Sequence, residues 1–422
     1  MDHKTLLDWV ALHLAVLHRP RLGAVLLAHA GTPTRLLHAP RDALPDCADS
    51  AWAALQVLRA AVPWSDATAA LQACERRGIA LLCRDTVDYP PWLHEIADPP
   101  LVLFVRGDAT LLQRSAVAVV GTRKPSPYGV QITDALVAGL QQSGLVVVSG
   151  LAFGIDAAAH RAALAVRMPT VAVLASGVDY ITPRGHYHLG ERIAAEAVLC
   201  SEYPPGMGAN PFHYPQRNRI ISGLSLGVVV VEGAVRSGTM WTARHAAEQG
   251  RLVFAVPGGA GHLQSAGPHH LIREGAILVE RAEHIVEALA PLRDVPVRAA
   301  AAGSALPLTQ LDMESHAPSR RMAVSAAAGH TLPLTQPSPQ RERGVEAPQG
   351  TAGRYLSTSD RQRPGRDDKA PDPYGLGTFL QIPRQLPEIV ARAQASVGDV
   401  LQWLTHAELS GLVRRDPRGY VL

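Results

Sequence analysis

The amino-acid sequence predicts an α/β protein built around a doubly wound, mostly parallel β-sheet, with a helical domain before it and a small domain after it. Three patterns carry this prediction. Short runs of β-branched residues alternate with helical stretches between residues 116 and 279, leucine and alanine recur at helical spacing before residue 85, and a proline-rich stretch precedes the C-terminal tail. Nearly continuous apolar runs are typical of strands that are buried on both faces of a sheet.

The composition agrees with a folded protein of several domains. A chain of 422 residues is expected to form two or three domains, and 47% hydrophobic against 18% charged residues excludes a wholly disordered protein. No apolar run is long enough to span a membrane, and the N-terminus lacks the basic end and apolar stretch of a secretory leader, so we expect a cytoplasmic protein. The net charge of +3 means that any site for nucleic acid must be a local cluster of charge.

Residues 1–85 are predicted to form the helical N-terminal domain. The break at 19–23 contains one glycine between two short helices, as in a helix-hairpin-helix or SAM-like domain, where the turn can offer backbone N–H groups to a phosphate. An ordinary helical bundle has the same kind of turn, and a single glycine does not separate the two interpretations.

Residues 86–290 are predicted to form a Rossmann-like domain of repeated βα units. The predicted strands are 116–120, 145–149, 170–176, 197–202, 226–232, 252–257 and 276–279. Residues 291–375 hold 11 of the 33 prolines and show no periodicity, which indicates a disordered linker. In residues 376–422, two helical stretches followed by a turn between short strands predict a winged helix-turn-helix domain.

Three loops that are rich in glycine and hydroxyl residues follow predicted strands and lead into predicted helices. Ligands of a doubly wound sheet bind at the carboxyl ends of its strands, where such loops offer N–H groups and the positive end of a helix to an anion. The guanidinium of Arg123 can also hold a phosphate. The candidate residues are Gly121, Thr122 and Arg123, then Ser149, Gly150 and Gly154, and then Ser237, Gly238 and Thr239.

A fourth candidate is the group Arg217, Asn218 and Arg219, which we predict at the start of a short helix. Two arginines and an asparagine in that position can grip phosphates and base edges together. The arginines could instead form ion pairs with Glu202 or Glu232, and the two interpretations are compatible.

No cofactor or metal is predicted. The first loop lacks the G-x-G-x-x-G pattern of dinucleotide-binding proteins, and the chain contains no G-x-x-x-x-G-K-[ST] loop of P-loop NTPases. The four cysteines show no C-x-x-C spacing, which disfavours a zinc site with thiolate ligands.

Seven motifs occur in an order and spacing that resemble the DNA-processing protein A family, also called DprA or Smf. They are VAVVGTR, SGLAFGIDAAAH, SEYPPG, PFHYPQRNRIISGLS, VVVEGAVRSGTMWTAR, VFAVPGG and LIREGA, within residues 85–290. The resemblance implies an extended Rossmann fold that binds single-stranded DNA and catalyses no reaction. It also implies protection of incoming DNA and its delivery to the RecA recombinase during natural transformation, and a homodimer formed through the Rossmann-like domain. The family's phosphate-gripping positions correspond to the twelve candidate residues above.

The sequence departs from the family pattern at two places near these candidates. Phe153 stands where the family usually has an arginine, and its ring could stack on a base or pack inside the protein. Met240 and Trp241 are bulkier than usual, and we expect Trp241 to lie in the core.

Two other functions remain open from the sequence. PGG at 257–259 is similar to nucleoside-monophosphate phosphoribohydrolases, but the threonine and glutamate of that motif are missing; release of free base from a nucleoside monophosphate would favour this enzyme. A DNA-binding regulator would use Arg414, Arg415 and Arg418 of the predicted wing, and loss of all DNA binding after deletion beyond residue 375 would favour it.

Overall fold

The computed structural model describes residues 1–44, 49–293, 414–416 and 419–421, and the chain divides into two compact units, 1–320 and 321–422. The predicted linker lies outside the described residues from 294 onward, and so does the predicted winged helix except for its hairpin. That hairpin consists of β10 (Arg414–Asp416) and β11 (Gly419–Val421), which pair antiparallel as the sequence predicts.

The first unit begins with five helices, as predicted for residues 1–85. They are α1 (His3–Ala15), α2 (Pro20–Ala30), α3 (Pro33–His38), α4 (Asp49–Ala60) and α5 (Trp64–Arg77). The prediction of a glycine turn at 19–23 is wrong, because Pro20 is the first residue of α2 and Gly23 lies inside that helix. Gly23 lets the helix pack closely, since a Cβ there would lie 2.7 Å from Cγ2 of Val16 and 3.1 Å from Cδ1 of Leu101.

The sheet has nine strands in the order β1-β2-β6-β5-β4-β3-β7-β8-β9. The strands are β1 (Ala80–Cys83), β2 (Val102–Gly107), β3 (Ala116–Val120), β4 (Val146–Ser149), β5 (Thr170–Val173), β6 (Val198–Ser201), β7 (Gly227–Val230), β8 (Leu252–Ala255) and β9 (Ile277–Leu278). Strands β3 to β9 are parallel to their neighbours in that series and confirm the seven predicted strands. The sequence did not predict β1 and β2, which join the sheet antiparallel beside β6.

Helices cover both faces of this sheet. They are α6 (Pro91–His94), α7 (Pro127–Gly139), α8 (Ile155–Ala165), α9 (Tyr187–Glu196), α10 (His213–Gly223), α11 (Gly238–Glu248), α12 (Ala266–Arg273) and α13 (Ala282–Arg293). In β3, Val117 and Val119 pack into one hydrophobic core while Ala118 and Val120 pack into the other, which also contains residues of α1 and α2. Both faces of the strand are therefore buried, which is why its sequence is apolar throughout.

The strand order reverses at β3, and this reversal positions the candidate site. The strands β4, β5 and β6 extend the sheet on one side of β3, whereas β7, β8 and β9 extend it on the other. In a doubly wound sheet, the crevice at such a reversal lies at the carboxyl ends of the strands and is the usual place for a ligand. Within the described segments, no helix is long and apolar enough to cross a membrane.

Candidate nucleic-acid interface

A cavity of about 340 Å³ opens where the strand order reverses, between the loops that follow β3 and β7 and the helices α10 and α11. Eight of the twelve candidate residues line it: Gly121, Thr122, Arg123, Arg217, Asn218, Ser237, Gly238 and Thr239. The other four, all of them described, lie outside its wall. The wall also contains Asp156, Tyr214 and Trp241, which sequence reasoning did not include in the site.

The loop after β3 supplies an exposed cation on a fixed backbone. The N–H of Thr122 donates to the carbonyl of Glu232 (2.7 Å), and the carbonyl of Thr122 accepts from the N–H of Ile155 (3.2 Å), which ties the loop to its two neighbours. The guanidinium of Arg123 lies 5.2 Å from the centre of the Tyr214 ring. No carboxylate of the described residues pairs with this exposed arginine, so its charge is available to an anionic ligand.

The loop after β4 holds the site together, which differs from the predicted contact with phosphate. Ser149 is fully buried and donates its hydroxyl to the carbonyl of Val119 (2.7 Å). Gly154 has a φ of +84°, and a Cβ at this position would lie 2.1 Å from the carbonyl oxygen of Thr122. The loop therefore approaches the first loop so closely that only glycine fits there.

Asp156 anchors the same loop from below. Its carboxylate accepts hydrogen bonds from the N–H groups of Gly150 (3.2 Å) and Ala152 (3.4 Å). Burial raises the pKa of this carboxyl, while the nearby charge of Arg217 and the two N–H donors act in the opposite direction. The carboxylate of Asp156 therefore stabilises the loop after β4.

Arg217 lies in the middle of α10, because the helix begins at His213, four residues before it. Arg217 is 3% exposed and donates to the carbonyls of Gly150 (2.6 Å), which follows β4, and of Val173, which ends β5. A Cβ on Gly150 would lie 2.3 Å from Nη1 of Arg217, so this glycine makes room for the guanidinium. The prediction that Arg217 stands at a helix start is wrong, and both hydrogen bonds of its Nη1 go to carbonyls of the protein.

Arg219 is likewise buried, and it forms one of the two ion pairs that the sequence left open. Its Nη2 lies 2.6 Å from Oε2 of Glu202, and its Nε lies 3.6 Å from Oδ2 of Asp98. Burial opposes the charge of Arg219, but the attraction of the two carboxylates outweighs it and raises the pKa of the guanidinium. Arg219 therefore remains charged, and its charge is paired with carboxylates of the protein. These ion pairs hold α10 against the sheet.

The loop after β7 offers donors to the cavity. Gly238 is exposed and begins α11, so the positive end of that helix points toward the opening. Within the described part of the chain, the buried hydroxyl oxygen of Ser237 finds no hydrogen-bond partner. The amide of Asn218 donates to the carbonyl of Gly238 (3.4 Å) and links α10 to this loop.

Two aromatic side chains stand at this edge of the sheet. The expectation that Trp241 lies in the core is wrong, because 49% of its surface is exposed and its ring lines the cavity. Phe153 is 48% exposed and meets the ring of His186 edge-on, with 4.6 Å between the ring centres. The spacing of Trp241 from Gly238 could have revealed its position, since residues three apart on a helix share a face.

The comparison with known families agrees with this architecture. The family model of the DNA recombination-mediator protein A matches residues 80–290, which is half of the chain and includes all twelve candidate residues. The chain belongs to this family. A solved structure of DNA processing protein A from Streptococcus pneumoniae is 39% identical, covers 56% of this chain and 81% of its own, and superimposes with a TM-score of 0.52.

Two curated relatives support the membership in the DNA recombination-mediator protein A family. The DNA processing protein DprA of Bacillus subtilis is 44% identical over 226 residues, which are 53% of this chain and 76% of that protein. Protein Smf of Escherichia coli is 46% identical over 210 residues, which are 50% of this chain and 56% of that protein.

Proposed function

We propose that this chain binds single-stranded DNA at the cavity between α10 and α11, protects it in the cytoplasm, and delivers it to the RecA recombinase during natural transformation. The chain acts as a homodimer through its Rossmann-like domain and leaves the DNA chemically unchanged. Membership in the DNA recombination-mediator family supports this role, and the wall of the cavity supports the place of binding.

The observation that carries the proposal is the grouping of Arg123 with the first turn of α11 around one cavity. Arg123 is exposed and lacks a carboxylate partner among the described residues, and Gly238 stands at the positive end of its helix. Both features attract a phosphodiester without reading its base. A cavity of about 340 Å³ suits a small ligand unit, so a flexible strand can enter it, one nucleotide at a time.

Binding without chemical change is supported by the way the one carboxylate in the wall is used. Asp156 is buried, and its Oδ2 accepts two backbone hydrogen bonds while the charge of Arg217 lies nearby, so this carboxylate already serves to hold the fold. A general acid or base must reach the substrate directly or through one water. Incubation with nucleoside monophosphates should release no free base, whereas release would show the hydrolase activity that the PGG sequence left open.

The decisive experiment compares Arg123→Ala with Arg161→Ala. Both variants lose one positive charge, but Arg161 is exposed on α8 and does not line the cavity. Fluorescence anisotropy on single-stranded and duplex DNA of one sequence should show preference for the single strand, with Arg123→Ala weakening binding to every sequence alike. Each phosphate contact contributes about −0.7 to the slope of log K against log salt, so the slope should become shallower by about this amount in Arg123→Ala alone.

Three results would contradict the proposal: binding that does not depend on salt concentration, equal losses of affinity in both arginine variants, or tighter binding to the duplex.

Delivery to RecA is tested by adding the protein to single-stranded DNA and following ATP hydrolysis by RecA, which should start sooner with the wild type than with Arg123→Ala. Light scattering on the full chain should give twice the mass of one chain, and a monomer at all concentrations would contradict the dimer.

A further inference from the structure

We propose that Trp241 forms a base-stacking wall of the cavity, so that the site takes up one unstacked nucleotide with its base against the indole and its phosphate beside Arg123. The inference rests on the proposed binding of single-stranded DNA and adds to it a residue that contacts bases.

The position of the indole supports this role. Trp241 lies in the first turns of α11, three residues after Gly238, and its ring is half exposed where it borders the cavity. Burial of a large apolar ring is favourable in free energy. A half-exposed indole in a cavity wall can therefore bury its remaining surface against a planar group such as a nucleobase. The guanidinium of Arg244, 5.7 Å from the ring centre, lies over the ring and is held by Glu248 at 2.8 Å.

The polar groups around the indole suit one nucleotide. Ser237 contributes a buried hydroxyl that no described residue satisfies, and the amide of Asn218 reaches only a long 3.4 Å hydrogen bond. The guanidinium of Arg123 lies 5.2 Å from the centre of the Tyr214 ring, and both residues line the same cavity as Trp241. The cavity wall therefore contains both an exposed cation, Arg123, and a half-exposed indole, Trp241, which suit the phosphate and the base of a nucleotide.

Stacking on an aromatic ring tolerates every base, which agrees with a protein that binds strands of any sequence. Such a contact contributes about five- to 150-fold in affinity, and a half-exposed indole should fall near the lower end of that range. Purines offer a larger face than pyrimidines, so oligomers of adenine should bind somewhat more tightly than oligomers of thymine of equal length.

The test measures full-length wild type, Trp241→Ala and Trp241→Phe on two DNA oligomers of equal length, one oligothymidylate and one without bases at any position. Trp241→Ala should weaken binding to oligothymidylate about five- to tenfold and binding to the abasic oligomer less than about twofold. Trp241→Phe should retain most of the affinity, since phenylalanine also stacks. Tryptophan fluorescence should be quenched by oligothymidylate in the wild type, and the quenching should decrease in both variants.

An equal loss on both oligomers would overturn the inference, because it would show damage to the phosphate contacts or the fold. Unchanged binding of Trp241→Ala to oligothymidylate would overturn it too. Thermal unfolding of each variant checks that the fold is intact. Arg123→Ala separates the two proposals: if that variant loses affinity while Trp241→Ala does not, single-stranded DNA binding stands and only the stacking role falls.

Discussion

At the scale of single residues, the site depends on glycines at points of close approach. Gly154 has a φ of +84°, a backbone conformation that residues with a side chain rarely adopt, and it touches the backbone of the loop that carries Arg123. The position of Arg123 therefore depends on Gly154, whose lack of a side chain allows the two loops to approach each other. Gly154 has this effect although it does not line the cavity.

We expect Gly154→Ala to lower the free energy of unfolding by about 3 kcal/mol and to weaken DNA binding. The added Cβ would lie 2.1 Å from the carbonyl oxygen of Thr122, so the loop with Arg123 must move, and the strained φ adds its own cost. Urea unfolding gives the loss of stability, and anisotropy with single-stranded DNA gives the loss of affinity.

Gly238→Ala is the matched control for this substitution. A Cβ at Gly238 has no described atom within 4 Å, and its φ is not positive. Because alanine favours a helix over glycine by about 1 kcal/mol, this variant should be as stable as the wild type or slightly more stable. If the two variants lost the same stability, crowding at Gly154 would not be the cause.

At the scale of elements, the sequence predicted what depends on local patterns. The seven parallel strands were predicted because both faces of each are buried, so runs such as Val117 to Val120 are apolar without interruption. The start of α10 was placed too late: the helix begins at His213, and Pro215 lies in its first turn, where a proline loses no hydrogen bond.

The burial of Arg217 and Arg219 could not be predicted in the same way. Their partners Gly150, Val173 and Glu202 come from three other segments that are distant in sequence and lie beside α10 in the folded sheet. The sequence suggested an ion pair with Glu202, yet the spacing of residues alone did not show that the guanidinium groups point inward. Arg123 differs because it lies directly after a strand, at the edge of the sheet where ligands bind.

The ion pair of Arg219 with Glu202 should therefore stabilise α10 without contacting DNA. Arg219→Ala leaves the carboxylate of Glu202 buried without its cation, and removal of one partner of a buried pair costs about 3–5 kcal/mol. Urea unfolding should show this loss. The double variant Glu202→Leu with Arg219→Met should recover most of the stability, since apolar residues of similar size often replace such a pair.

The affinity of this double variant for single-stranded DNA decides between two roles of Arg219. If Arg219 only positions α10, the double variant should bind DNA with wild-type affinity and an unchanged salt slope, because its stability is restored. If Arg219 instead contacts a phosphate, the double variant should bind DNA more weakly, and its salt slope should be shallower by about 0.7, as expected for Arg123→Ala.

At the scale of the whole molecule, the residues proposed to bind DNA all belong to the compact unit of residues 1–320, whereas the predicted winged helix belongs to the second unit. The net charge of +3 gives no general attraction to DNA, so affinity must come from a local arrangement of groups. Two arrangements compete for this role: the cavity with Arg123, and the C-terminal hairpin with Arg414 and Arg415.

Deletion of the residues after 375 separates these arrangements. We expect the shortened chain to bind single-stranded DNA within about threefold of the full chain and with the same salt slope, because each phosphate contact that is lost would change the slope by about 0.7. Arg123→Ala within the shortened chain should then remove most of the remaining affinity, and Arg161→Ala should not. If the deletion abolished binding to both single-stranded and duplex DNA, the hairpin would be the binding element and the chain would act as a winged-helix regulator. A loss confined to duplex DNA would instead leave the cavity as the site for the single strand, because the residues proposed here to hold that strand lie in the cavity wall.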